Sequence, residues 1–415
     1  MPTPAFHAVA RVLPDKGPMR VLAGATFLNT IGTGLWITGS VLFFTRSVGL
    51  SAAQVGIGMS VAGFVSLAAG LPLGHLADRF GARRVVVVLL TIWAADTAAY
   101  ALVHSFWAFV IVICIDSVAG AGASAARGAL IAGLFAGAER VRVRADLRAV
   151  TNLGISLGAV GAGFALHADS RTAYLGLVFA DVATFLFAAG GYLLLPHLPP
   201  THTTSSQGSP WQAARDMPYV GVTVLNGLLS VQYEVLAVAL PLWLAHYTSA
   251  PRWTFAPLLM VNTIMIILLQ VRASRGAQHL AVAQRAVLRS GWAFAGAALI
   301  FLAAHWASAA FAVLVLAVAV VVHTIGELWQ AAAAFGISFE LAPAHAQGQY
   351  QGLFGMGMGL AQTVGPAMLT LLTITWGPPG WIIVAGFFLL TSHLLPPAIR
   401  WAERTRVVQD QVAVA

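Results

Sequence analysis

A polar segment that lies between two apolar runs reads Gly74-His75-Leu76-Ala77-Asp78-Arg79-Phe80-Gly81-Ala82-Arg83-Arg84. Gly74 has no side chain, which allows two helices to approach each other closely. Asp78 can meet the positively polarised N-terminus of a neighbouring helix. The arginines can pair with acids at the same end of the molecule, and Glu139 and Asp146 are the candidates. The segment therefore predicts a close contact between helices at a turn.

The composition around this segment is that of a membrane protein. The chain has 415 residues, of which 59% are hydrophobic and only 9% are charged. A soluble domain averages about 45–50% apolar and about 25% charged residues. A water-soluble globule and a disordered chain are therefore excluded. Twelve bilayer-spanning helices of about 20 residues would occupy about 240 residues, which matches the apolar content.

The apolar runs predict an all-α membrane protein with twelve transmembrane helices in two pseudo-symmetric six-helix bundles. A Pro-, Ser- and Thr-rich linker over 196–217 separates an N-terminal bundle (1–195) from a C-terminal bundle with a short cytoplasmic tail (218–415). Two halves of six spans indicate an internal repeat of the kind found in transporters. The predicted spans are 20–45, 52–73, 85–103, 107–136, 147–168, 173–195, 218–245, 253–272, 288–304, 308–338, 349–374 and 380–400.

The basic residues predict the orientation in the membrane. The net charge is +8, but the arginines form short clusters between apolar runs, which favours the positive-inside rule over nucleic-acid binding. Eighteen of the 22 Lys and Arg residues fall in the loops of one side and three in those of the other, while Arg127 lies within a span. We therefore expect both termini in the cytoplasm, in a multi-pass protein of the inner cell membrane. The first twenty residues lack the apolar core of a cleavable signal, so we expect the first span to be retained.

The polar segment resembles the signature loop of the major facilitator superfamily, roughly G-x-L-A-D-R-x-G-R-R. It also stands where that family has it, after the second of twelve spans. The resemblance implies the twelve-helix major facilitator fold and a secondary active transporter that works by alternating access. It further implies a conformational gate on the cytoplasmic side, formed by Gly74, Asp78, Arg79, Gly81, Arg83 and Arg84.

Two further motifs are similar to those of the twelve-span drug:proton antiporter branch, but only in part. Proton-coupled members often carry R-x-x-Q-G in the fourth span, where this chain has Asp116-Ser117-Val118-Ala119-Gly120. Exporters often carry G-x-x-x-G-P-x-x-G-G in the fifth span, where Ala159 replaces the proline. The direction of transport therefore stays open. The glycines that we expect to pack helices closely are Gly154, Gly158, Gly163, Gly355 and Gly359.

Ionisable residues within a span are costly and mark candidate functional sites. The family implies a central cavity lined by spans one, four, seven and ten. We expect proton coupling by Asp116, Glu234, Glu327 and His323, and a substrate cavity lined by Asn29, Trp36, Arg127, Gln232, Tyr233, Trp329 and Gln330.

Four expectations concern the ionisable residues within the spans. An Arg127–Glu327 contact between the halves would break and form during transport, since the two residues lie at similar depths in spans four and ten. His323 and Glu327 are four residues apart and share a helix face, so they could exchange a proton, or His323 could be bonded to a neighbouring group. Asp96 and Asp181, on spans three and six, are expected to form structural hydrogen bonds to an adjacent helix. Permanent pairing with a local donor is the alternative for Asp116 and Glu234.

The function that these features favour is proton-coupled export of an amphipathic or drug-like small molecule. The alternative is an importer or facilitator of a polar metabolite, in which Arg127 would bind an anionic group. A membrane-embedded lipid-modifying enzyme is disfavoured because the loops are short and the sequence lacks a P-loop and H-E-x-x-H. We therefore expect no enzymatic activity, cofactor, metal or nucleic-acid partner. The expected partners are the substrate, protons and the bilayer, with a functional monomer.

Overall fold

The computed structural model describes residues 17–168, 170–199 and 211–414. Arg11 and Lys16 of the basic count, and half of the predicted linker (200–210), lie outside the described residues. The described part contains helices and turns and no β-strand. Its twelve long helices are α1 (Pro18–Leu42), α2 (Ala52–Phe80), α3 (Ala82–Ala99), α4 (Phe106–Leu134), α5 (Ala138–Ala168), α6 (Arg171–Leu193), α7 (Met217–Tyr247), α8 (Phe255–Ala273), α9 (Leu280–Ala303), α10 (Ala309–Glu340), α11 (Gln347–Thr370) and α12 (Gly380–Val414).

The twelve helices confirm the predicted fold, and several run beyond the predicted spans. Eleven of those in the described ranges are long and apolar enough to cross a membrane; the remaining one is α5. That helix begins at Ala138, nine residues before its predicted span, and its added turns carry Arg140, Arg142 and Arg144. Arginine has a high helix propensity, so the helix continues past the apolar region.

The polar segment 74–84, which resembles the signature loop, is helical rather than a loop. α2 continues to Phe80, and α3 begins at Ala82. Between them stands only Gly81, with a φ of 91°, a value at which a residue with a Cβ is strained. Gly74 and Asp78 are therefore one turn apart on the same face of α2.

The chain divides into two compact units. Unit 1 contains Met1–Ala136, Asp146–Trp211 and Pro343–Gly355, and unit 2 contains Gly137–Ala145, Gln212–Ala342 and Met356–Ala415. The first turns of α5 thus group with unit 2, and the first turns of α11 group with unit 1. The boundaries 1–195 and 218–415 stay a prediction.

The internal packing of the two units follows one scheme. In unit 1, α1 packs against α6, α2 against α4, and α3 against both α4 and α6. In unit 2, α7 packs against α12, α8 against α10, and α9 against both α10 and α12. Each pair of the first set becomes a pair of the second when six is added to both helix numbers. This correspondence is the structural form of the internal repeat.

Two glycines of α5 bring this helix against α1 within unit 1. A Cβ at Gly158 would overlap the carbonyl oxygen of Ile31. A Cβ at Gly154 would overlap the hydroxyl of Thr30 and lie 3.0 Å from the carbonyl oxygen of Phe27. Both positions therefore need glycine for the helices to approach as closely as they do.

The prediction of close packing is wrong for Gly163 and Gly355. Among the described residues, no heavy atom lies within 4 Å of the Cβ position at either glycine. In α11 the close approaches occur instead at Gly352, which faces the Gly70 carbonyl, and at Gly357, which faces the Thr223 carbonyl. Gly355 points away from both contacts because it lies three residues after one and two before the other. Packing at Gly359 stays a prediction.

We predict that Gly158→Ala lowers the stability of the protein, whereas Gly163→Ala does not. The added methyl group at position 158 would push α5 away from Ile31, and such overpacking costs about 1–3 kcal/mol. Thermal melting of both variants in the same detergent measures the difference. Equal melting temperatures for the two variants would contradict the assigned packing.

Candidate functional site

Asp78 binds the start of a helix within unit 1. Its Oδ1 accepts a hydrogen bond from the amide of Gly348 at 2.7 Å, and its Oδ2 accepts one from the amide of Gln349 at 2.9 Å. These amides belong to the first turn of α11, where backbone donors have no partner in the helix and a negative charge is favourable. A Cβ at Gly74 would overlap the Gly348 carbonyl oxygen, so the glycine allows the approach that Asp78 then fixes.

The other residues of the expected gate surround this contact. Gly81 forms the turn, and the exposed Arg79 lies over the ring of Phe80, with 5.3 Å from its guanidinium carbon to the ring centroid. Arg83 donates to the carbonyl oxygen of Leu195 at 2.5 Å, beyond the end of α6. Arg84 is exposed. The expected pairing of Arg83 with an acid is therefore replaced by a carbonyl near a helix C-terminus, where a cation is also favourable.

One member of this contact was missed by the sequence reasoning. The side-chain amide of Gln349 lies 2.9 Å from Nδ1 of His75, one residue after Gly74. His75 occupies a variable position of the signature, so the motif itself carried no signal for it. The bond adds a third link between the end of α2 and the start of α11.

Asp116 of α4 lies beside two further carboxylates in unit 1. Its Oδ1 accepts a hydrogen bond from the indole nitrogen of Trp93 at 2.8 Å. Asp96 of α3 and Asp181 of α6 each interact electrostatically with Asp116, and both are buried. We call Asp96, Asp116 and Asp181 the acidic cluster.

The acidic cluster does not form the hydrogen bonds between helices that we expected for Asp96 and Asp181. Oδ2 of Asp96 is buried and has no hydrogen-bond partner among the described residues. The carboxylate of Asp181 accepts from Thr184 of its own helix at 3.3 Å and packs against Gly32 of α1. Gly32 is required there because a Cβ would overlap Asp181.

Tyr100 connects the acidic cluster to the aromatic residues of unit 1. It is buried at the end of α3 and interacts electrostatically with all three carboxylates. Its ring packs on Trp36, with 4.9 Å between the ring centroids, and Trp36 also contacts Phe43 and Phe44. Trp36, expected to line a cavity, is partly buried and packs against the apolar core of unit 1, and its role in a cavity stays a prediction.

Two other expected cavity residues of unit 1 carry buried polar atoms. Nε of Arg127 in α4 and Nδ2 of Asn29 in α1 have no hydrogen-bond partner within the described part of the chain. Donors buried in this way are costly unless something satisfies them. Their role in a substrate cavity stays a prediction.

Glu327 of α10 is held by α8 within unit 2. Its Oε2 accepts a hydrogen bond from Nδ2 of Asn262 at 2.8 Å, and the same nitrogen donates to the hydroxyl of Thr324 at 3.0 Å. Glu327 is only 5% exposed. Asn262 was missed, although a lone asparagine in the apolar run of α8 was a signal for it. The Arg127–Glu327 pair would join the two units and stays a prediction.

His323 lies one turn before Glu327 and is bonded elsewhere. Its ring forms a hydrogen bond with the backbone of Gln232 in α7 and lies 5.1 Å from the ring centroid of Phe294 in α9. Nε2 has no hydrogen-bond partner among the described residues. This arrangement matches the alternative expectation that His323 is bonded to a neighbouring group. Proton exchange between His323 and Glu327 stays a prediction.

A polar network joins α7 to α10 in unit 2. The hydroxyl of Tyr233 donates to Oε1 of Gln330 at 3.4 Å, and Nε2 of Gln330 donates to Asn226 and Ser230, each at 3.3 Å. The sequence predicted Tyr233 and Gln330 on these helices but missed Asn226 and Ser230. Their spacing of four residues on α7 could have revealed them, because it places both on one face.

The remaining expected residues of unit 2 differ in burial. Gln232 is fully buried, and its side-chain amide has no hydrogen-bond partner in the described ranges. Trp329 is half-buried. Glu234 is also half-buried and packs against α11 at Gly365, where a Cβ would lie 2.8 Å from its Cγ. A π-helical turn, Val235–Ala239, follows Glu234 directly and precedes Pro241, which cannot donate a backbone hydrogen bond.

These features define a multi-pass helical membrane protein with two repeated six-helix sets and polar groups buried among its spans. Residues 22–324 match the model of the Major Facilitator Superfamily. Multidrug resistance protein MdtH of Shigella boydii serotype 4 (strain Sb227) is 25% identical over 327 residues, which cover 78% of each chain.

Two solved structures share the fold. A bacterial homologue of the iron transporter ferroportin, in an outward-facing state, has a TM-score of 0.73 at 13% identity and covers 93% of this chain and 99% of its own. The proton:xylose symporter XylE has a TM-score of 0.68 at 13% identity, and the match covers 95% of this chain and 96% of the XylE chain. The chain belongs to the Major Facilitator Superfamily, a family of membrane transporters.

We predict that Asp78→Asn speeds hydrogen exchange at the first amides of α11. An asparagine keeps one acceptor oxygen but loses the charge and one of the two bonds, so Gly348 or Gln349 would be left without its partner. Hydrogen–deuterium exchange with peptide-level mass spectrometry measures the rate. Glu403→Gln, which removes an exposed carboxylate of α12, is the control and should leave these amides unchanged.

Proposed function

We propose that this transporter exports amphipathic, drug-like small molecules in exchange for protons. The observation that carries the choice of substrate is the similarity to MdtH, which is named for multidrug resistance and aligns over 78% of both chains. The apolar and aromatic surroundings of the buried polar groups support a substrate of mixed character. The expected substrate-cavity residues remain part of this proposal.

The coupling proton is assigned in this proposal to Asp116, with Asp96 and Asp181 as its neighbours. Carboxylates within membrane spans mark proton relays in pumps and transporters. Asp116 keeps a single described donor, Trp93, and stands within electrostatic reach of two more buried acids. Binding a proton at one of these groups would relieve the repulsion between them. Glu234, Glu327 and His323 are the rival carriers in unit 2.

The proposal predicts that a strain expressing the protein survives raised concentrations of some members of a panel of toxic compounds. Resistance should fall to the level of the empty strain in the triple variant Asp116→Asn, Glu234→Gln, Glu327→Gln. Growth assays with matched membrane expression measure it. A panel in which no compound separates the expressing strain from the empty strain counts against drug export.

We predict that Asp116→Asn alone abolishes transport driven by an imposed pH gradient in inverted membrane vesicles. The asparagine amide keeps an oxygen that can accept the Trp93 hydrogen bond, but it cannot take up and release a proton at the pH values of the assay. Fluorescence of a pH-gradient dye after substrate addition measures the coupled proton flux. Glu403→Gln should behave as wild type. Retention of gradient-driven transport in both Asp116→Asn and Glu234→Gln would remove these acids from the coupling scheme.

The Arg127–Glu327 contact remains our proposal for the step that links the two units during alternating access. The buried Nε of Arg127 has no hydrogen-bond partner among the described residues, and a buried charge is costly without compensation, which gives Arg127 a reason to meet Glu327 in one state of the cycle. We expect Arg127→Glu and Glu327→Arg each to block transport, and the double swap to restore part of it. A double swap as inactive as either single variant would sink the pairing.

A second candidate function is uptake or facilitated passage of an anionic metabolite. The buried Nε of Arg127, which lacks a described hydrogen-bond partner, is the observation that favours it. The two functions differ in direction, so uptake into inverted vesicles under an imposed pH gradient separates them. The cytoplasmic placement of both termini, proposed from the basic loops, fixes which vesicle face is which.

A further inference from the structure

A second turn meets a helix start in unit 2. α5 begins at Ala138, and its first residues group with the turn that joins α8 to α9. In that turn the amide of Ala277 donates to the Ser274 carbonyl at 3.2 Å, and the amide of His279 donates to the Gly276 carbonyl at 3.0 Å. Gly276 has a φ of 78°. The turn is therefore a hydrogen-bonded element with a defined shape.

A small apolar cluster holds the turn against α5 and α10. Val141, Ala277 and Ala332 are buried together, one from each element. A Cβ at Gly336 of α10 would overlap the carbonyl oxygen of Ala277, so the turn lies directly on that helix. The turn and the start of α5, which meet at this cluster, are therefore held in a defined arrangement.

An open cavity of about 320 Å³ lies between the turn and the start of α5. Two of its lining residues are arginines, Arg142 and Arg275, and none is an acid. Both arginines are exposed, so their guanidinium groups are reachable from solvent. The lining residues are Ala138, Arg142, Val271, Ser274, Arg275, Gly276 and Gln278.

The repeat shows how this arrangement differs from its counterpart in unit 1. Under the shift of six helices, α8 corresponds to α2 and α5 corresponds to α11. In unit 1, Asp78 stands three residues before the positive-φ Gly81 and neutralises the start of α11. In unit 2, Ser274 stands two residues before the positive-φ Gly276, and its hydroxyl donates to the Gln270 carbonyl. The first turn of α5 carries the exposed Glu139, and Arg142 of α5 and Arg275 of the turn line the cavity beside it. The start of α11, in contrast, binds a carboxylate from another helix.

We propose that this cavity binds a phosphate group, carried either by an anionic lipid headgroup or by a soluble phosphate. Guanidinium groups match phosphate oxygens in geometry and charge, and the start of a helix adds backbone donors. The volume falls at the lower end of small-ligand sites, which span about 300–1,000 Å³. α8 ends at Ala273, so the cavity lies at the boundary of the span, where headgroups are found. The proposal is independent of what the protein transports.

Two binding measurements on the full-length protein in detergent test the site. Native mass spectrometry compares retention of phosphatidylglycerol with that of phosphatidylcholine. Thermal melting compares inorganic phosphate with sodium chloride at equal ionic strength. We expect Arg275→Gln to weaken binding of the preferred ligand about tenfold, as for loss of a charged hydrogen bond, and Arg275→Lys to weaken it less. Arg285→Gln, an exposed arginine of α9 outside the lining, should bind as wild type.

The two arms also distinguish the sources. Arg275-dependent preference for phosphatidylglycerol supports a lipid headgroup, whereas Arg275-dependent stabilisation by inorganic phosphate without lipid preference supports a soluble ligand. Melting of Arg275→Gln without ligand verifies its folding, and Arg275→Lys serves if that variant is unstable. The proposal is overturned if neither ligand separates wild type from the Arg275 variants, or if Arg285→Gln loses as much binding as Arg275→Gln.

Discussion

A polar group inside a bilayer has no water to bind, so it must be satisfied by the protein, and this constraint organises the molecule. Helices satisfy their own backbone except at their ends, which leaves the first amides of each helix as the places that need help. Asp78 supplies that help to α11 through both carboxylate oxygens. Asn262 likewise donates a hydrogen bond to the buried carboxylate of Glu327. The described polar contacts thus serve to make a mostly apolar bundle compatible with a few charges.

The sequence predicted the Asp78 contact because the two side-chain positions that permit it, Gly74 and Asp78, lie on the same helix. A spacing of four residues places Gly74 and Asp78 on one face whatever the bundle does, and a glycine beside an acid on one face favours a helix start as the partner. The twelve helices were predictable for a similar reason, since length and apolar content are local properties. The ends were less predictable, because residues with high helix propensity extend α2 and α5 past the apolar runs.

The acidic cluster and the glycine contacts of α11 could not be derived in the same way. Placing Asp96, Asp116 and Asp181 together requires knowing how α3, α4 and α6 are oriented about their own axes. The sequence of each span leaves several orientations open. In α11 glycines are so frequent that many pairs have the spacing of a packing motif. Gly352 and Gly357 make the contacts because Gly70 and Thr223 face them, which is information held by other helices. The pattern within one helix therefore identifies which glycines can pack closely. The neighbouring helices determine which of those glycines do so.

The comparison of the two helix starts shows how a repeat can diverge in chemistry while keeping its packing. The same pairs of helices contact each other in both units, so the architecture places α2 near the start of α11 and α8 near the start of α5. What differs is the side chain shortly before the glycine turn, an acid three residues before it in one case and a serine two residues before it in the other. An aspartate makes the first junction self-sufficient, because the chain itself supplies the negative charge. At the second junction the lining residues include Arg142 and Arg275 and no acid, and the proposed phosphate group would supply the negative charge there. Packing is set by many small side chains and tolerates little change, whereas the charge at such a junction rests on one or two residues and can change without disturbing the bundle.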